Sequence, residues 1–209
     1  MTNTPAVGDP APDFELPEAS EKKVRLREAV SRGPVVLVFY PTDWGMICTM
    51  EMKRFQAMLP DLEAAGATLL AVSVNTTTSH RAWKEHLGIT FDLLSDPDGE
   101  VVRRYGLMIG ETDLMRGRST RAAFVIGPDL MVRYAWKAPD ISFQPDYDAL
   151  LAVCRELRSV AQGQAVFNPV LDSSLQVDNR GRTDQAGQGD HRGGDVPAPR
   201  AGVPAGSGG

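Results

Sequence analysis

Residues 34–40, "PVVLVFY", form an unbroken run of β-branched, aliphatic and aromatic side chains, closed by Gly33-Pro34 on one side and Pro41 on the other. A strand of this kind has no polar face, so both faces must be covered, and helix layers on either side of a sheet do that. Residues 67–74, "ATLLAVSV", repeat the pattern. Between the two runs, from Cys48 onward, Met52, Phe55, Leu59 and Leu62 recur at helical spacing, Lys53, Asp61 and Glu63 fall off that stripe, and Gly66 supplies a stop.

The rest of the chain continues the alternation. Ser79 is a cap for a short helix, "HRAWKEHL", closed by Gly88. "TFDLLSD" holds a short extended piece, and Asp96-Pro97 reads as cap and first turn of a helix, "DGEVVRRY", that ends at Gly106. "RAAFVI" and "MVRYAW" flank "GPDL" as two antiparallel strands, and "PDYDALLAVCRELRSV" is a final amphipathic helix. The upstream "AVGDPAPDFELP" is a proline-punctuated, extended lead-in. Together these predict a three-layer α/β domain with a mixed central sheet over residues 1–163. From 164 to 209 glycine, proline and aspartate replace core-forming residues, and a largely disordered C-terminal tail is expected, in which only "AVFNPVLDSSLQV" keeps apolar residues able to pack back.

Composition narrows the function. A net charge of −5 offers no broad cationic surface for phosphate backbones, so no nucleic-acid partner is expected. No apolar stretch is long enough to cross a membrane, and "MTNTPAVGDPAPDF" has no basic start followed by an apolar segment. Two distant cysteines make neither a disulfide framework nor a CxxC motif, which points to a reducing, cytoplasmic setting.

Cys48 has two readings. It lies four residues before Met52 on the apolar stripe, where free cysteine often serves as a small core residue. It also falls in or near the first turn of the helix that follows "PTDWGMI", where unpaired backbone N–H groups and the positive end of the helix dipole favour a thiolate. Arg116, Arg118 and Arg121 are candidate cations to reinforce that preference. From the residues alone, core filler and reactive thiol both stay open.

The segment at 39–52, "FYPTDWGMICTMEM", resembles the active-site stretch of the peroxiredoxins, the AhpC/TSA thiol peroxidases, which place Pro-x-x-x-Thr/Ser-x-x-Cys after a strand. Pro41 and Cys48 match its ends, and "CTxE" is matched by Cys48, Thr49 and Glu51. "VGDPAPDFELP", "AVSVNTTTSHRAW", "FDLLSDPDGEVVRRYGL" and "TRAAFVIGPDLMVRYAW" are similar to further family segments in the expected order, over about residues 5–160. The resemblance implies a thioredoxin-like fold and a thiol-dependent peroxidase, an antioxidant oxidoreductase without metal or organic cofactor. Cys48 would attack hydrogen peroxide or a small organic hydroperoxide and become a sulfenic acid. Arg121 would hold the thiolate, Pro41 would cover it, and an external thiol reductant such as thioredoxin or glutaredoxin would regenerate it. A homodimer is the implied assembly.

One position departs from the family pattern. Gly45 stands where the Thr or Ser hydroxyl is expected, and neither Thr42 nor Thr49 is placed in sequence to substitute for it. Losing one such donor costs on the order of 3 kcal/mol by analogy with oxyanion-hole deletions. A redox sensor or binding module with weakened peroxidase activity is therefore the alternative, whereas a thioredoxin-type disulfide reductase lacks its CxxC. Cys154 is a candidate resolving cysteine, but Leu150, Cys154 and Leu157 at i, i+4 and i+7 favour the core. His80 and His86 are expected at the surface rather than on a metal, Trp44 over the active-site loop, and Trp83 and Trp136 in or beside the core.

Overall fold

The computed structural model describes residues 3–110, 113–140 and 142–163. The tail expected from residue 164, with "AVFNPVLDSSLQV", lies outside the described residues. The all-apolar run becomes β3 (Val35–Phe39), with all five residues buried. It is the middle strand of a five-stranded sheet ordered β5-β4-β3-β6-β7. β4 (Thr68–Ser73) and β5 (Asp92–Ser95) run parallel to it, while on its other side β6 (Ala122–Ile126) pairs antiparallel to β3 and β7 (Val132–Lys137) antiparallel to β6. This is the expected mixed sheet of a three-layer, thioredoxin-like α/β fold.

Alternation along β3 divides the core in two. Val36, Val38 and Tyr40 face one cluster, built with α2 (Met46–Ala64), α3 (Thr77–Leu87) and α5 (Tyr147–Ala161). Val35, Leu37 and Phe39 face another, built with α1 (Leu26–Val30), α4 (Glu100–Arg104) and the N-terminal segment. Each fully buried aliphatic or aromatic side chain in these clusters contributes roughly 1.5–3 kcal/mol by leaving water. Trp83 and Trp136 are buried in the first cluster, as expected. Among the described residues, no helix is long and apolar enough to cross a membrane.

Several local boundaries differ from the sequence expectation. The lead-in ends in a small hairpin, β1 (Glu15–Pro17) with β2 (Lys23–Arg25), followed by α1. Pieces this short carry too little periodicity to show in a sequence. α3 is capped by Thr76, whose side chain accepts from the Ser79 N–H, rather than by Ser79. α4 starts only at Glu100, and Pro97 lies before it; Asp96 reaches in from outside to accept from the N–H groups of Glu100 and Val102.

Gly33 and Gly66 end the turns that lead into β3 and β4, and the two turns touch. A Cβ on Gly33, at φ +152, would sit 2.2 Å from the Gly66 carbonyl oxygen, whereas a Cβ on Gly66, at φ +72, would meet nothing within 4 Å. Gly66→Ala therefore costs left-handed strain of about 1 kcal/mol. Gly33→Ala forces a backbone shift as well and should lose clearly more, on the order of 1–3 kcal/mol, in urea unfolding. Equal losses in the two variants would contradict this packing.

Candidate active site

β3 and β6 are antiparallel neighbours, with Phe39 opposite Ala122. The end of β3, from which the chain enters the 41–45 loop and α2, therefore lies beside the start of β6, where Arg121 stands. This pairing brings the residues singled out in the sequence together. α2 begins at Met46 with Gly45 as N-cap, and its first backbone bond runs from the Thr49 N–H to the Gly45 carbonyl. The N–H groups of Met46, Ile47 and Cys48 thus have no partner within the helix, and Cys48 sits in the first turn. Its residue is 4% exposed.

Arg121, 1% exposed, donates from Nη2 to Cys48 Sγ at 3.5 Å and from Nη1 to Glu51 Oε2. Glu51 is fully buried one turn along α2 from Cys48, on the same face. Burial pushes its carboxyl up to about 7, and the Arg121 charge pulls against that shift. Its second oxygen, Oε1, has no hydrogen-bond partner among the described residues. Burial works against the Arg121 charge, and its contacts with Glu51 and Cys48 more than offset that. Pro41 is buried at the start of the loop. Arg116 and Arg118 line a cavity with Asn75, Thr76 and Ser79, two of which bond to Asp43 in the loop.

At Gly45, φ is −70°, so a side chain would bring no left-handed strain. A Cβ there would lie 3.3 Å from Cys48 Sγ and 3.3 Å from the Thr42 methyl. Thr42 itself donates its hydroxyl to the Asp43 carbonyl at 3.1 Å, so it turns a methyl toward the place of the missing residue.

Cys154 lies fully buried on the core face of α5, and burial pushes its thiol up to about 12. Both cysteines are free thiols. The geometry favours the core role of Cys154.

His80 corrects an expectation. It is fully buried rather than on the surface, because His80 and Trp83 form the inward face of α3. Its Nδ1 lies 3.0 Å from Oδ2 of Asp43, a buried residue in the active-site loop that the sequence reading passed over. His86 is exposed, and the half-exposed Trp44 stacks on it with ring centroids 5.4 Å apart. Glu51 was visible only as part of a motif. A glutamate three residues after Cys48 and four before Phe55 falls on the buried stripe and needs a cation, and that signal points to Arg121.

The AhpC/TSA family model matches residues 7–135. A peroxiredoxin of Thermoplasma volcanium is 35% identical over 193 residues, covering 83% of this chain and 92% of its own length. The 1-Cys peroxiredoxin PER1 of Zea mays is 27% identical, with 78% of each protein covered. Among solved structures, peroxidoxin BcpB of Mycobacterium tuberculosis superposes with a TM-score of 0.64 at 28% identity, covering 72% of this chain and 97% of that one.

Two outcomes follow from the geometry. Iodoacetamide should modify Cys48 in the folded protein, while Cys154 reacts only after denaturation; early labelling of Cys154 would contradict its burial. Glu51 holds its proton to about pH 7 in the folded chain but only to its ordinary value of 4.5 when unfolded, so its contribution to stability is lost as pH rises between these values. Urea unfolding at pH 5 and pH 7.5 should therefore show a smaller loss in Glu51→Gln than in the wild type.

Proposed function

The chain belongs to the AhpC/TSA family and is a thiol peroxidase; from that premise we propose that Cys48 is its peroxide-reacting residue, reducing hydrogen peroxide or small organic hydroperoxides. The observation that carries this reading is the Arg121 guanidinium 3.5 Å from the Cys48 sulfur at the start of α2. A peroxide O–O bond is weak, so catalysis needs a thiolate in line with it and donors for the charge moving onto the leaving oxygen.

Cys48 Sγ attacks the terminal oxygen, an S–O bond forms as the O–O bond breaks, and the leaving oxygen takes a proton to depart as water or an alcohol. Sulfur is oxidised by two electrons to the sulfenic acid and the peroxide is reduced by two. The N–H groups of the first turn of α2 and the Arg121 guanidinium bind the oxygens, Glu51 keeps Arg121 aimed, and Pro41 covers the sulfur. An external thiol, from a protein such as thioredoxin or glutaredoxin, then condenses with the sulfenic acid, releasing water and forming a mixed disulfide that a second thiol reduces. The buried position of Cys154 supports that one-cysteine route. A homodimer in a reducing cytoplasm completes the proposal.

Gly45 favours a second reading, a sensor-like protein whose chemistry is slow. Both readings are separated by measuring peroxide consumption with dithiothreitol as reductant. Cys48→Ser should fall to background, and a serine variant as active as the wild type would overturn the assignment. Gly45→Thr should react faster with hydrogen peroxide, by up to about a hundredfold, since one aligned donor is worth that much. Gly45→Ala, which adds the crowded Cβ without a hydroxyl, should show no gain; a gain in both variants would rule out the hydroxyl as its cause.

A further inference from the structure

The hydrogen bonds around Asp43 can be counted atom by atom. Its Oδ1 accepts from the Tyr40 hydroxyl at 2.8 Å, and its Oδ2 accepts from the Ser79 hydroxyl at 2.7 Å. His80 Nδ1 lies 3.0 Å from Oδ2 and 3.2 Å from Oδ1, and 3.4 Å from the Tyr40 hydroxyl. The other ring nitrogen, Nε2, faces the Leu94 carbonyl at 3.2 Å. A carbonyl only accepts, so Nε2 carries a hydrogen. A neutral imidazole then presents a bare lone pair at Nδ1 to a carboxylate. Both side chains are 0% exposed, where such a mismatch is costly. One further proton between Nδ1 and Oδ2 removes it, whichever atom carries the proton. Tyr40 does not supply this proton, because burial and then the Asp43 charge push its phenol well above the ordinary range.

That shared proton bears on the active-site loop. Asp43 lies midway between Pro41 and Gly45, and its backbone N–H donates to Asn75 Oδ1 at 3.0 Å, an oxygen that also accepts from Ser73 Oγ. The next residue, Trp44, has φ +63, which a bulky side chain adopts at a cost of about 1–3 kcal/mol. A strained residue of this kind persists only where its neighbours are held, and Asp43 is the neighbour anchored to α3 and to the end of β4. The chain then enters α2 with its N–H groups at Cys48.

We propose that Asp43 and His80, sharing one proton, are positioning residues for the reactive geometry at Cys48, an inference that rests on Cys48 being the reacting thiol. They act through the loop, as the hydrogen bonds they make reach Tyr40, Ser79, Asn75 and Leu94 rather than Cys48. Asparagine at 43 can keep every bond: its oxygen accepts from Tyr40, and its amide donates to Ser79 Oγ and to Nδ1 of a neutral His80. Alanine at 43 cannot, and alanine at 80 removes the shared proton while sparing the Tyr40 and Ser79 bonds.

The test uses the full chain and two reactions of Cys48: oxidation by hydrogen peroxide, which needs alignment, and alkylation by iodoacetamide, which needs only an accessible thiolate. Asp43→Ala and His80→Ala should each lose about a hundredfold with peroxide, the scale of a misplaced reacting group, while alkylation stays within a few-fold. Asp43→Asn should restore the peroxide rate. The wild-type proton spectrum should show a low-field resonance from the Asp43–His80 bond that is missing in Asp43→Asn, a readout that stands even where an alanine variant fails to fold. An unchanged peroxide rate in both alanine variants, equal losses in both reactions, or no low-field resonance in the wild type would overturn the proposal. Full peroxide reactivity in Cys48→Ser is a separate outcome: it would overturn the function assigned to Cys48 and this inference with it.

Discussion

A cysteine, an arginine and a glutamate meet out of water where the start of β6 lies against the first two turns of α2, and the organisation of the site depends on that contact. Cys48, Arg121 and Glu51 are 4%, 1% and 0% exposed. A guanidinium in such a place is expensive unless it is paired, and removing one partner from a buried pair typically costs about 3–5 kcal/mol. The arrangement is therefore a structural commitment as well as a chemical one. Glu51 occupies one nitrogen of Arg121, which leaves another turned toward the sulfur.

The fold makes the contact available through one pairing. The crossover to β4 through α2 is parallel, whereas β6 returns antiparallel on the other side of β3. The loop leaving β3 and the residue entering β6 are thereby neighbours, although Cys48 and Arg121 are 73 residues apart in the chain. Shape and charge at the site are fixed from the sheet, and the loop between Pro41 and Gly45 adds the finer aim.

Much of this was legible in the sequence because it rests on strong periodicity. The runs that became β3 and β4 and the stripe along α2 are long, and tertiary packing only confirmed them. The pieces that escaped are those whose signal is not periodic. The β1–β2 hairpin and α1 are three to five residues each and are held by the domain they pack on. The sequence places His80 at the surface because it shares a short helix with Lys84, Glu85 and His86 and no third metal ligand is evident; its burial comes with Asp43, whose partner in the fold no spacing rule announces. Glu51 and Asp43 show the same limit from the other side: a buried carboxylate is explained only by the cation or donors that the topology delivers. The i, i+4, i+7 setting of Leu150, Cys154 and Leu157 does announce the burial of Cys154 on α5.

Gly45 is where family pattern and physical structure part. The backbone there is unstrained, and a side chain would need the Cys48 sulfur and the Thr42 methyl to yield by only a few tenths of an ångström, so the hydroxyl is missing from a place that a small shift can open. In the proposed mechanism the helix N–H groups and Arg121 are the donors on which the rate rests. The most direct measurement of the central assignment is mass spectrometry of the intact chain and its peptides after one equivalent of hydrogen peroxide in the presence of dimedone, which traps sulfenic acids. The account predicts one dimedone adduct per chain, on the Cys48 peptide, with Cys154 unmodified; peroxide consumed while Cys48 remains a free thiol would contradict it.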